Sequence, residues 1–163
     1  MDIRYQDLSH EDFDAVVTGE LTHLALWHEN ELINIIASYF IGDTNKSADF
    51  VRLLLRRDGL TVQDKLEIVR AMEPLFLGKV PPSEFRSVLK SVEDFKSERN
   101  TMAHGIDVTP SGTRGQIIVE VVSRSGKSKQ ITITPESHAT QLAIGDKILE
   151  DLRKIGTAIS SVQ

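Results

Sequence analysis

The sequence predicts a mainly α-helical protein, an antiparallel helical bundle with a β-hairpin inserted before its last helix. Two observations lead to this fold class. Apolar residues recur at helical spacing before residue 105 and again after residue 135. Between these parts, a stretch at about 115–134 is rich in β-branched residues and contains a glycine turn, which is typical of a hairpin. The length of 163 residues fits a single domain spanning 1–163.

The composition excludes several classes of protein. The chain has no cysteine, and therefore no disulfide framework, thiolate zinc site or thiol nucleophile. A net charge of −5 argues against a general nucleic-acid coat protein and leaves any RNA contact to a local patch. The longest apolar stretch, 32–41, is interrupted by Asn34 and Ser38 and is too short to span a membrane. Since no secretory signal is visible, we expect a cytoplasmic protein without a membrane partner.

Residues 13–41 form the first predicted helix, because apolar residues recur there at helical spacing and Gly42 follows. Its second half is apolar nearly all round, which is more than one core face requires. A helix with two apolar faces indicates a subunit interface and so favours a homodimer. The residues concerned are Leu32, Ile33, Ile35, Ile36, Tyr39 and Phe40.

Two shorter helices are predicted next. Asn45 or Ser47 can cap a helix that runs to Arg57. Thr61-Val62-Gln63-Asp64 resembles a capping box and opens a helix that runs to about Leu77.

The following helix has the most regular apolar stripe in the chain. Pro81-Pro82-Ser83 marks a loop that supplies the N-cap. Arg99 lies one heptad beyond Val92 and falls near the centre of the stripe, where the pattern predicts an apolar residue. A cation at that position requires a partner or a function. The stripe consists of Phe85, Val88, Val92 and Phe95.

This helix ends on the string Arg99-Asn100-Thr101-Met102-Ala103-His104-Gly105. Asn100 and His104 are four residues apart and share a face, which is rotated by a quarter to a third of a turn from Arg99. Gly105 is expected to adopt the left-handed conformation that ends many helices. The three polar side chains are therefore predicted to converge on one cleft.

The remainder of the chain predicts the hairpin and the last helix. Residues 116–122 and 130–134 are the two strands, joined by a Ser-Arg-Ser-Gly-Lys-Ser turn. Thr134-Pro135-Glu136 then supplies an N-cap, a proline at the first helical position and an acid in the first turn. The helix continues with apolar or small residues at 142, 145, 148, 152, 155 and 159.

The string at 99–105 resembles the hallmark of the HEPN superfamily, Arg-Asn-x-x-Ala-His-Gly, and matches it at every specified position. HEPN domains are small helical bundles found in prokaryotic toxins, abortive-infection proteins and CRISPR-associated ribonucleases. Helix order extends the resemblance to roughly residues 10–160. A toxin subgroup that is silenced by nucleotidylation has tyrosine where this chain has Ile106, so the resemblance does not extend to that mode of control.

The resemblance implies a metal-independent endoribonuclease, a toxin or defence effector, with a site shared across a homodimer. Arg99, Asn100 and His104 would be the catalytic residues, RNA the substrate, and an antitoxin or regulatory protein a further partner. No metal and no cofactor is implied. The chemistry is reasonable, because histidine can move a ribose 2′-hydroxyl proton near neutral pH and arginine offers a fork of donors to phosphate oxygens.

An alternative function uses the same residues without catalysis. Basic residues in the last turn of a helix complement its dipole, so the string can also be structural. The protein would then be a non-catalytic dimeric bundle that binds a protein or nucleotide partner, with Arg99 as an internal tether. This alternative predicts that Arg99 is ion-paired within its own subunit.

Two other features offer weaker candidates. A locally basic group near the hairpin turn could contact RNA phosphates. It consists of Arg124, Lys127 and Lys129. Glu20 and His23 have the spacing of a di-iron bundle, but the second motif that such a site requires is absent.

The remaining histidines offer little. His28 lies in line with the apolar residues of the first helix and is read as a core or interface histidine, and His138 has no obvious partner. Arg4 and His10 repeat the Arg–His spacing loosely, without the flanking Asn and Gly.

Overall fold

The computed structural model describes residues 4–76 and 78–160, and it is 68% helical with a small antiparallel sheet before the last helix. The α-helices are α1 (His10–Phe40), α2 (Ser47–Phe50), α3 (Val62–Ala71), α4 (Pro82–His104) and α5 (Pro135–Ser160). The strands are β1 (Ile106–Asp107), β2 (Ile117–Val122) and β3 (Ser128–Ile133). The predicted helical class with a β insertion before the last helix is confirmed, whereas a HEPN-type bundle stays a prediction.

The chain divides into two compact units, each of which is discontinuous in sequence. Unit 1 comprises the chain up to Ala25 and the segment Phe95–Asp146. Unit 2 comprises Leu26–Asp94 and the chain from Lys147 onward. The residues singled out at 99–105 and the whole sheet therefore belong to unit 1.

The first helix begins three residues earlier than predicted and ends where expected. The Ser9 hydroxyl accepts a hydrogen bond from the Asp12 backbone N–H at 3.1 Å, which caps the helix. At the other end Gly42 has a φ of +65°, and its N–H donates to the Ala37 carbonyl at 3.1 Å. Glycine is favoured there because a Cβ would be strained at positive φ.

The apolar excess on the second half of α1 is largely buried within the single chain. Leu32, Ile33, Ile35 and Ile36 are all buried within this one chain, while Phe40 is 55% exposed. These four residues consequently do not require a second subunit to cover them. The homodimer stays a prediction.

The segment between α1 and α3 differs from its prediction. Lys46 occupies the N-cap position of α2, and the Ser47 hydroxyl donates to the Gly42 carbonyl at 2.6 Å instead of capping the helix. Neither Asn45 nor Ser47 is the cap, because that hydrogen bond completes the turn after α1. A π-helical turn, Val51–Leu55, follows, so the helical segment ends before Arg57.

The capping box that opens α3 is confirmed in full. The Thr61 side chain accepts from the Asp64 N–H, and the Asp64 carboxylate accepts from the Thr61 N–H at 2.7 Å. The predicted extension to about Leu77 is wrong, since α3 ends at Ala71 and gives way to a 3₁₀ turn, Glu73–Phe76. Pro74 explains the change, because a proline disfavours helical geometry in the residue before it. Leu77 itself lies outside the described residues.

Helix α4 begins at Pro82, so Pro81 is the N-cap and Ser83 is already helical. Proline suits the first helical position because its missing N–H would have no partner there. The predicted stripe is confirmed, since Phe85, Val88, Val92 and Phe95 are all buried.

The β insertion contains the predicted hairpin and one strand more. Strands β2 and β3 pair antiparallel with Ile117 opposite Ile133, and Gly126 in the turn has a φ of +78°. The additional strand, β1, pairs with β2 and places Ile106 opposite Glu120. A strand of two residues shows no alternation of polarity, so periodicity could not predict it.

Gly105 does not adopt the predicted left-handed conformation. Its small size instead leaves room for a neighbouring side chain. Its φ is not positive, and its N–H donates to the Thr101 carbonyl at 2.9 Å as in a continuing helix. A Cβ at Gly105 would lie 1.9 Å from Val119 Cγ1, which is too close for two non-bonded carbon atoms. The glycine therefore lets the end of α4 pack closely against β2.

We expect Gly105→Ala to lower the free energy of unfolding by about 1–3 kcal/mol, because the new methyl overlaps a buried, β-branched side chain. Urea denaturation of the full chain measures the change. Gly19→Ala is the matched control: Gly19 lies in α1 with nothing within 4 Å of its Cβ position, and alanine should stabilise the helix there by about 0.5–1 kcal/mol. Equal stability of Gly105→Ala and the wild type would contradict the packing role.

Candidate functional site

Unit 1 contains a cavity of about 440 Å³ at the C-terminal turns of α4. Helices α1, α4 and α5 and strand β3 all contribute to its wall. The helical residues recur at intervals of three or four, so each helix turns one face toward the cavity. The wall consists of Val17, Leu21, Phe95, Glu98, Arg99, Thr101, Met102, Lys129, Gln130, Ile131, Thr132, Ile133, Ser137, His138 and Gln141.

Arg99 is half-buried in this wall and is held by its neighbour. Its Nη1 donates to Asn100 Oδ1 at 2.9 Å. Its Nε is buried and has no hydrogen-bond partner among the described residues. None of the ion pairs within residues 4–76 and 78–160 involves this guanidinium. The cation on the apolar stripe thus faces a cavity without a carboxylate partner.

His104 is placed apart from Arg99. It is the last residue of α4, its side chain is exposed, and it does not line the cavity. Five helical positions correspond to a rotation of about 140°, which explains the separation. The structure therefore brings Arg99 and Asn100 together within the chain, and it does not bring His104 into the same cleft.

The basic residues near the hairpin turn also divide into two groups. Arg124 and Lys127 are exposed in the turn between β2 and β3. Lys129, in β3, lines the cavity that Arg99 also lines. Of the three cations considered for RNA contact, Lys129 is the one beside the candidate site.

His138 is a functional candidate that sequence analysis missed. It is 1% exposed, and its Nε2 lies 2.6 Å from Glu20 Oε2. A carboxylate only accepts, so Nε2 carries a hydrogen and donates the hydrogen bond to Glu20. No sequence signal reveals this pair, because the two residues are 118 positions apart.

Tyr5 completes the group around Glu20. Its hydroxyl donates to both carboxylate oxygens, at 3.1 and 3.2 Å, and its ring packs edge-on against His138. Burial and the adjacent Glu20 carboxylate raise the pKa of the Tyr5 hydroxyl, which keeps it protonated as a donor. The orientation of the His138 ring is consequently fixed by hydrogen bonding and by packing.

This arrangement also argues against the di-iron site considered for Glu20 and His23. The Glu20 carboxylate is occupied by Tyr5 and His138. Within the described residues there is no cluster of three or more His, Asp and Glu side chains that could hold a metal ion.

Two other histidines are accounted for by their surroundings. His28 is 2% exposed, as expected of a core histidine. His10 lies 3.7 Å from Asp107 and 3.3 Å from Glu11, so it belongs to a set of acidic contacts near the start of α1.

Comparison of the chain with protein-family models, with curated proteins and with solved structures gives no match. Among the described residues, no helix combines the length and the apolar character that crossing a membrane would need.

Proposed function

We propose that this protein is a metal-independent endoribonuclease of the HEPN type, with Arg99, Asn100 and His104 as its catalytic residues. The observation that supports this function is the state of Arg99. Its guanidinium is anchored by Asn100, has an unpartnered Nε, and has no carboxylate partner among the described residues. An arginine prepared in this way suits a phosphate group, which accepts two parallel N–H bonds.

The roles follow from the chemistry of each side chain. Arg99 neutralises the charge that builds on the phosphate oxygens, and Asn100 holds the guanidinium in place. His104 takes the proton from the attacking 2′-hydroxyl or supplies a proton to the leaving 5′-oxygen. Because His104 is turned away from Arg99 within one chain, the proposed site combines the motifs of two copies, as the sequence resemblance implies.

The alternative, a binding module with Arg99 as an internal tether, has less support. A tether of this kind predicts an ion pair between Arg99 and a carboxylate of the same subunit. Arg99 has none among the described residues, and it lines an open cavity instead. Its hydrogen bond to Asn100 orients it without neutralising its charge.

The test is cleavage of a fluorophore–quencher RNA by the purified full-length protein in excess EDTA. We expect cleavage that persists without divalent ions and leaves 2′,3′-cyclic phosphate ends, since the 2′-hydroxyl is the nucleophile. The matched probe has the same sequence with 2′-deoxyribose throughout and should remain intact. Cleavage of both probes, or cleavage only after Mg²⁺ is added, would contradict the proposed mechanism.

A further inference from the structure

Three buried polar side-chain atoms lack a hydrogen-bond partner among the described residues, and the three residues that carry them all line one cavity. They are Arg99 Nε, His138 Nδ1 and Gln141 Oε1. An unpaired buried polar atom costs free energy, and native structures hold few of them. Their concentration at one cavity points to a ligand that supplies the missing partners.

The Arg99 side of the cavity requires an anion. Nη1 is engaged by Asn100, which leaves Nε and Nη2 as the edge of the guanidinium that can grip two oxygens of one group. Lys129 adds a second positive charge to the wall, and Glu98 adds a negative one. The sum of one positive charge matches a singly charged phosphodiester.

The α5 side of the cavity requires hydrogen-bond donors. The His138 Nε2–H donates a hydrogen bond to Glu20, and in the neutral imidazole with this tautomer Nδ1 is an acceptor. Since Glu20 engages Nε2, Nδ1 is the ring nitrogen left to bind a molecule in the cavity that His138 lines. Gln141 Oε1 is a second acceptor, three residues further along the same helical face.

Most of the other side chains of the wall are apolar, and the cavity volume falls in the range of small-molecule and cofactor sites. A flat, largely apolar body with an amino group at one end and a phosphate at the other fits this distribution. The apolar side chains are Val17, Leu21, Phe95, Met102, Ile131 and Ile133.

We propose that the cavity takes up the base of a nucleoside phosphate whose phosphate group is held by Arg99, and that it prefers bases with an exocyclic amino group. A cytosine N4 amino group can donate one proton to His138 Nδ1 and one to Gln141 Oε1. Uracil has a carbonyl oxygen at that position and would leave both acceptors unpaired. The inference rests on the proposed function only in taking RNA as the source of the nucleotide.

The test is direct binding, measured separately from cleavage. Fluorescein-labelled tricytidylate and triuridylate with 2′-O-methyl riboses resist cleavage that uses the 2′-hydroxyl, and fluorescence anisotropy gives their Kd values with the full-length protein. We expect tricytidylate to bind about tenfold more tightly than triuridylate, as is typical of a site whose buried polar groups are left unpaired by the wrong ligand. Competition by unlabelled CMP and UMP identifies whether a free nucleotide suffices.

Gln141→Leu should reduce the preference for cytosine at least threefold, because it removes an acceptor from a half-buried helical position. Gln141→Glu retains an acceptor and should keep the preference, with weaker binding overall. Gln63→Leu, in α3 and outside the cavity wall, is the matched control and should bind both probes as the wild type does.

Equal affinity of the wild type for the two probes, or no binding of either, would overturn the inference. So would a cytosine preference in Gln141→Leu as large as that of the wild type. Base-selective binding without RNA cleavage would instead contradict the proposed ribonuclease function and support the base-binding inference. RNA cleavage without base-selective binding would support the proposed function and contradict the base-binding inference.

Discussion

His104→Ala is expected to lower the rate of RNA cleavage by about 10²–10⁴-fold, the usual contribution of a general acid or base. The imidazole is exposed at the end of α4 and lies outside the cavity wall. Its loss should therefore leave the free energy of unfolding within about 0.5 kcal/mol of the wild type. The measurements are the single-turnover rate in EDTA and the urea midpoint of the same preparation.

His23→Ala is the matched control, because His23 is also an exposed histidine on a helix, in α1. It should cleave RNA at the wild-type rate. If His104→Ala cleaves as fast as His23→Ala, the histidine is not the proton-transfer group and the proposed mechanism is wrong. If His104→Ala instead loses stability, its effect on the rate cannot be assigned to chemistry, and His104→Gln then separates the two.

Glu29→Leu is expected to destabilise the protein by about 3–5 kcal/mol, because it leaves a buried ammonium without its counter-charge. Lys65 is 3% exposed, and its Nζ lies 2.5 Å from Glu29 Oε1 and 3.0 Å from the Leu60 carbonyl. Without Glu29, the neutral Leu60 carbonyl is the remaining acceptor in that pair of contacts. The urea unfolding curve of the full chain gives the change.

The double variant Glu29→Leu/Lys65→Met distinguishes a buried charge from a loss of packing. Apolar replacement of both partners of a buried ion pair is often neutral or stabilising, so the double variant should recover most of the loss. Arg52→Ala removes the exposed pair between Arg52 and Asp49 and should cost less than about 1 kcal/mol. A double variant as unstable as Glu29→Leu would show that lost packing, and not the unpaired charge of Lys65, causes the loss of stability.

The parts of this fold that the sequence predicted correctly depend on local chemistry. The capping box at Thr61 and the cap and proline that open α5 each lie within four residues of their partners. The stripe on α4 repeats over three turns, long enough for the helical period to be unambiguous. Arg99 was found in the same way, because a cation interrupts a regular apolar pattern.

The parts that were missed depend on contacts between distant segments. The pairing of Glu20 with His138 joins residues 118 positions apart, and the spacing to His23 suggested a different partner. Gly105 shows a second limit, because glycine at a helix end serves equally for a left-handed turn or for close packing. Only the position of Val119 distinguishes the two.

Both compact units are discontinuous in sequence, and this constrains how the chain can fold during synthesis. Unit 1 needs residues on both sides of position 94, and unit 2 needs the segment from Lys147 onward. Unit 1 cannot be completed before the first half of α5 has been synthesised, and unit 2 cannot be completed before the second half, at the usual rate of about 5–20 residues per second. The first 94 residues therefore emerge with apolar surface that only later segments cover, and a fragment ending there would contain neither unit in full.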